Sequence, residues 1–170
     1  MDETIEVQAG VWLRKRGLRL VTAESCTGGL IGHLLTNVPG SSEYYLGGAV
    51  SYAYAAKTAF LGVPPGLLAM FGAVSREVVL EMASGARMAL AKELPLDGLI
   101  GLSVSGIAGP DGGTPDKPVG PTWIGLSAPG FQRAWHFIWD GDRVENKTNS
   151  AREALQLLLE YLQGNPRDEI

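Results

Sequence analysis

An α/β fold is predicted for this chain, a three-layer α/β/α sandwich around a mixed, mostly parallel sheet, on three observations. Segments rich in branched residues alternate with amphipathic ones along most of the 170 residues. The apolar run Leu99 to Leu102 fits a central strand covered on both faces. Two short strands near 122–127 and 132–138 are joined by the turn Ala128-Pro129-Gly130, so they form an antiparallel hairpin and make the sheet mixed.

The elements follow in order. Residues 3–16 place Ile5, Ala9 and Trp12 at helical spacing, and Gly17 stops the helix. Leu18 to Ala23 is a strand, and a second helix over 30–37 ends at Asn37 and Pro39. A second strand covers 47–53, a short helix 54–61 ends at Gly62, and Pro64-Pro65 opens another helical turn. Ser75 caps a long helix reaching about Ala91, with Val79, Ala83, Ala86 and Leu90 on one face. The third strand covers 98–105. Residues 106–121 hold five Gly and four Pro and read as a loop. Asp142 caps the last helix, which turns Ala151, Leu155, Leu158 and Leu162 inward and ends at Gly164. One domain is expected over 1–164, with a loose tail over 165–170.

Composition narrows the function classes. Hydrophobic residues make up 45% and charged residues 19%, and no apolar run approaches the roughly 20 residues of a spanning helix. The acidic opening Met1-Asp2-Glu3 is wrong for a leader, so the cytoplasm is the expected compartment. Cys26 is the single cysteine, which excludes an internal disulfide framework and a cysteine-rich zinc site. The net charge is −4 and the only tight basic cluster, Arg14 to Arg16, closes a helix, so no nucleic-acid partner is expected.

In an open α/β sheet, ligands collect at the carboxyl ends of the strands. Three unusual segments sit at such ends: Ser25 to Gly29, Tyr52 to Lys57, and Ser105 to Gly120. Ser25 lies where a strand turns into a helix, beside Cys26, Thr27, Gly28 and Gly29. Such a turn exposes a hydroxyl and presents amides to a phosphate or an oxyanion, although it also reads as ordinary capping. Glu24 reads either as a ligand to a sugar hydroxyl or as a buried, hydrogen-bonded carboxylate. Cys26 reads as a small buried residue facing away.

A nucleophilic serine needs a base. His33 and His136 are the only histidines, and neither has a sequence neighbour that makes a Ser-His-Asp set. Lys57, flanked by Ala55-Ala56 and Ala59-Phe60, serves if its pKa falls from about 10.4 toward 7–8, which costs about 4 kcal/mol. Spacing alone reads it more often as a surface lysine. Tyr52 is placed to relay or orient a proton, or to fill the core as a strand tyrosine. The loop through Ser105, Gly106 and Gly109 lets backbone approach a ligand, but lacks the P-loop order, and no G-x-G-x-x-G fingerprint exists. Arg143 and Lys147, on the first turns of the last helix, suit an anion, or else simply face solvent.

Taken together, Thr22 to Gly29, Gly72-Ala73-Val74-Ser75, Ser105 to Gly113 and Lys117-Pro118-Val119-Gly120 resemble the CinA C-terminal domain family, over about residues 5–163. The enzymatic members of that family are nicotinamide-nucleotide amidases. The resemblance implies a CinA C-terminal-like sandwich that deamidates nicotinamide mononucleotide to nicotinate mononucleotide and ammonia, without metal or cofactor. It implies Ser25 as acyl acceptor, Lys57 as general base and then acid, and Tyr52 as assistant. Amides around Thr27 to Gly29 or Ser105-Gly106 receive the oxyanion, and Glu24, Gly109, Arg143 and Lys147 join them around the substrate. Three positions depart from the family pattern: Tyr54 for asparagine, Lys147 for arginine, and Pro121 for threonine. The alternative is a catalytically silent nucleotide-binding module of competence- or damage-inducible type. The expected partner is a small-molecule substrate, with no membrane. A homo-oligomer is also expected, through hairpin pairing across a two-fold axis.

Overall fold

Local chemistry sets the helix ends. Gly17 and Gly62 adopt the left-handed conformation that closes α1 (Ile5–Arg16) and α3 (Tyr54–Leu61). The Ser75 hydroxyl accepts the Val78 amide to open α5 (Arg76–Ala89). Asp142 and Glu145 form a reciprocal capping box on α6 (Arg143–Leu162). Two shorter helices, α2 (Leu30–Thr36) and α4 (Pro65–Phe71), complete the set. The computed structural model describes residues 3–115 and 118–169.

The five strands are β1 (Arg19–Glu24), β2 (Tyr45–Val50), β3 (Leu99–Gly106), β4 (Pro121–Ala128) and β5 (Phe131–Ile138), in the order β2-β1-β3-β4-β5. β2, β1 and β3 pair in parallel, and β4 runs antiparallel to both neighbours. Four strands therefore point one way, which is the mixed, mostly parallel sheet expected.

Strand alternation feeds two cores. Leu20, Ile100, Leu102 and Val104 face the layer of α1, α2 and α6, where Leu13, Leu35, Ala151, Leu155 and Leu158 are buried. Val21 and Ala23 face the other way, toward Leu61, Leu68, Val78 and Met82 of α3, α4 and α5. The α5 layer sits unusually close. A Cβ at Gly101 would lie 1.9 Å from the Ala83 carbonyl oxygen, and one at Gly125 would lie 2.6 Å from that of Val79. The sheet therefore needs glycine under that helix.

Two boundaries differ from expectation. β2 begins at Tyr45 and stops at Val50; the Ser51 amide makes a last bond to β1, at Glu24 O (2.8 Å), and the chain then turns into α3. Residues after Pro166, expected to be loose, make side-chain and backbone hydrogen bonds to β5 and α6. Among the described residues no helix is long and apolar enough to cross a membrane.

Candidate active site

β1 delivers the chain to the carboxyl edge of the sheet at Glu24, and Ser25 follows with its amide donating to Val104 O of β3 (3.0 Å). The turn into α2 passes through Gly28 (φ 63°) and Gly29 (φ 97°), left-handed positions that other residues adopt only under strain. Glu24 locks this turn. One carboxylate oxygen accepts from Thr27 Oγ1 (2.6 Å) and from the amides of Gly29 and Ile31 (3.0 Å each), and the other accepts from the Gly32 amide (2.9 Å). The carboxylate therefore occupies the helix terminus that otherwise suits an anion. Gly28 is also engaged, its amide donating to Ser25 O (3.1 Å). Of the two readings left open for Glu24, the hydrogen-bonded carboxylate is the observed one, and the Gly28 and Gly29 amides are taken.

α3 brings Lys57 to Ser25. The chain turns at Ser51–Ala53, and Lys57 enters from the first turn of the helix with no exposed surface. Its Nζ lies 2.9 Å from Ser25 Oγ, 2.7 Å from Ser51 O and 3.2 Å from Tyr52 O. An ammonium spends its three protons on these oxygens. A neutral amine keeps both carbonyl bonds and turns its lone pair to the serine hydroxyl. The same pocket thus accommodates both protonation states without movement of heavy atoms. Burial pushes the lysine from 10.5 down to about 8, with only the neighbouring Cys26 opposing. Burial also pushes the Cys26 thiol up to about 12, so it stays protonated and packs in the core.

Ser25 and Lys57 open into a cleft of about 210 Å³, which Tyr52, Ala73, Val74, Ser105, Gly106, Asp111 and Arg143 also line. Tyr52 is 61% exposed and does not fill the core. Its hydroxyl accepts from Arg143 Nη2 (3.0 Å), while Arg143 Nη1 donates to Gly109 O. Arg143 therefore bridges the Tyr52 segment, the glycine-rich loop and α6 across the cleft mouth. Ser105 Oγ donates to Ala73 O (2.8 Å), which fixes the far wall. A Cβ at Gly106 would meet Thr122 Oγ1 at 2.4 Å, and one at Gly109 would meet Val119 at 2.5 Å. Both glycines thus serve the packing of the loop.

A neighbouring pocket of about 370 Å³ is lined by Thr27, Gly28, Gly29, His33, Val144, Lys147 and Thr148. Lys147 Nζ would stand 3.9 Å from a Cβ at Gly28, so its charge covers the bare glycine turn. His33 contacts Asn37, and His136 stacks on Trp123 at 4.8 Å between ring centroids. Among the described residues neither ring makes a hydrogen bond to Ser25, whose hydroxyl contacts Lys57.

Ser51 was not singled out from the sequence, although its carbonyl makes the shortest bond to Lys57. A carbonyl leaves no residue-type signal. Ala73, Val74 and Asp111 line the cleft and gave no chemical signal either, apart from their place in the family-like blocks. Lys117, part of one such block, lies outside the described residues. Among the described residues no three or more His, Cys, Asp or Glu cluster as metal ligands.

A family model for the CinA C-terminal domain matches residues 2–162. The "CinA-like protein" of Myxococcus xanthus (strain DK1622) is 47% identical over 155 residues, covering 91% of this chain and 35% of its own length. That of Salinibacter ruber (strain DSM 13855 / M31) is 46% identical over 155 residues, with 91% and 36% covered. The chain thus spans little more than a third of these relatives. Among solved structures, the competence damage-inducible protein A of Klebsiella pneumoniae subsp. pneumoniae MGH 78578 superposes with TM-score 0.85 at 34% identity, covering 94% of this chain and 95% of that one. The competence/damage-inducible protein CihA of Agrobacterium tumefaciens gives 0.80 at 37% identity, covering 96% and 99%.

Proposed function

This chain belongs to the CinA C-terminal domain family, and from that premise we propose that it is a serine amidohydrolase acting on nicotinamide mononucleotide. The observation that carries the reading is the buried 2.9 Å contact between Ser25 Oγ and a lysine whose pKa falls to about 8. Near neutral pH roughly a tenth of such a lysine is uncharged, enough to serve as a general base.

The neutral Lys57 takes the hydroxyl proton as Ser25 Oγ attacks the carboxamide carbon. The tetrahedral intermediate collapses with Lys57 returning that proton to the nitrogen, and ammonia leaves. Water, deprotonated by the same amine, then attacks the acyl-serine ester; the amine returns that proton to Ser25 Oγ as the ester bond breaks, and the carboxylic acid leaves and ionises to the carboxylate. With Gly28 and Gly29 engaged, the remaining amides of the serine turn are those of Cys26 and Thr27, which lie against the Cys26 sulfur and have no backbone acceptor among the described residues. One of these faces the oxyanion in this scheme. Tyr52 holds the amine through its carbonyl and offers its hydroxyl at the cleft mouth. Arg143 and Lys147 attract the substrate phosphate, Lys147 as a point charge.

The test is ammonia release from nicotinamide mononucleotide by the wild type, Ser25→Ala and Lys57→Ala. Wild-type turnover should rise with pH through about 8, and both variants should lose it almost entirely. A silent wild type abandons the enzyme reading in favour of a binding module. Turnover surviving in Ser25→Ala removes the nucleophile assignment.

A further inference from the structure

The outer edge of β5 is the second feature of chemical interest. β5 and β4 meet at a two-residue turn with Ala128 opposite Phe131, and the pairing runs without a bulge to Pro121 opposite Ile138. In such a hairpin the residues flanking the turn form a hydrogen-bonded pair, and pairs alternate from there. Phe131, Arg133, Trp135 and Phe137 thus bond inward to β4. Gln132, Ala134, His136 and Ile138 point their backbone groups outward. That outward set contains no lysine and no proline, and Ile138 is 71% exposed. A long, regular edge of this kind is a template for another strand unless something covers it.

Here the covering is the chain's own tail. Arg167 pairs with Glu153 and Glu160 of α6, on one face of the sheet. Glu169 accepts from Arg76 Nη2 at 2.9 Å, at the start of α5 on the opposite face. Between these anchors the tail crosses the edge. Arg133 Nη1 donates to Arg167 O (2.8 Å), Trp135 Nε1 to Asp168 O (2.9 Å), and the outward Ala134 amide to Glu169 Oε1 (2.9 Å). The amide at the middle of the edge is thus capped by a carboxylate.

We propose that the β5 edge is a strand-pairing surface for a second copy of this chain, held shut by residues 165–169. A second copy is the fitting occupant because antiparallel pairing of this edge with itself, two-fold symmetric about Trp135, sets Gln132 opposite Ile138 and Ala134 opposite His136 and so satisfies every outward group on both strands. The tail and the second copy compete for the same amide.

Sedimentation velocity on the full chain and on a chain ending at Gly164 tests this. The shortened chain should sediment at twice the mass of the full chain. Adding Gln132→Pro should restore the original mass, because proline there removes an outward donor and leaves the β4 ladder intact. Unchanged mass on truncation overturns the proposal, and so does a doubling that Gln132→Pro leaves in place. Should the shortened chain fail to fold, full-length Arg167→Ala/Glu169→Ala carries the same expectation. Absence of any heavier species in that variant is equally decisive.

Discussion

Glu24 gathers four hydrogen bonds on one carboxylate that is 2% exposed, directly before the nucleophile. Glutamine has the same shape but replaces one acceptor oxygen with a donor, so at least one buried amide of α2 faces another N–H. Leaving such a group unsatisfied costs about 1–3 kcal/mol. Glu24→Gln should therefore lower unfolding stability by that amount in urea denaturation. It should also lower kcat more than it raises KM, since the turn presenting Ser25 loosens. Equal kcat for folded Glu24→Gln and wild type would show that the cap and the nucleophile are independent. The candidate nucleophile and base stood out in the sequence through the family-like blocks, since residue type and spacing alone left Ser25 as a cap and Lys57 as a surface lysine. The direction of the Glu24 carboxylate was not legible, because a residue at the last position of a strand can turn into the helix or into the cleft. Sequence fixes its neighbours, not its torsion angles.

Elements position the site through close contacts that a sequence shows only as glycine. Gly85 of α5 is the clearest case: a Cβ there would lie 1.9 Å from the Leu61 carbonyl oxygen at the end of α3, the helix that carries Lys57. Gly85→Ala must push α3 away from α5 or distort both. Overpacking of this kind typically costs about 1–3 kcal/mol. The variant should melt lower and lose turnover as Lys57 retreats from Ser25. Retained turnover with a lowered melting temperature would mean that α3 tilts about its N-terminal end. Caps such as Ser75 and Asp142 were legible because their chemistry is local. The extent of β2 was not, since its ladder begins at Tyr45, where Leu20 donates its amide to Tyr44 O from a strand distant in sequence. The two short 3-10 turns at Ser41–Glu43 and Leu96–Gly98 gave no periodic signal for the same reason.

For the molecule as a whole, the layer order and the hairpin followed from hydrophobic periodicity, because burial of one face per helix and two per central strand leaves few alternatives. The tail's docking did not follow, since it depends on Arg76 and Arg133 meeting residues distant in sequence. The buried lysine links site and fold energetically. Its pKa is about 8 in the folded protein and 10.5 in the unfolded chain. Between those values the unfolded chain binds a proton that the folded chain has released, so raising the pH favours folding. Below pH 8 both states are protonated and the folded state bears the full cost of an ammonium in a dry pocket. Above pH 10.5 that cost is gone. Relative to Lys57→Met, which cannot titrate, wild-type unfolding free energy should therefore climb by up to about 1.4 kcal/mol per pH unit across this window, roughly 3 kcal/mol in all. Denaturant titrations of both proteins at pH 7.5 to 10.5 give that difference directly, the pH settings being about one unit apart. A flat difference would mean that the amine is charged at all these pH values. The base in the proposed chemistry would then have to be another group.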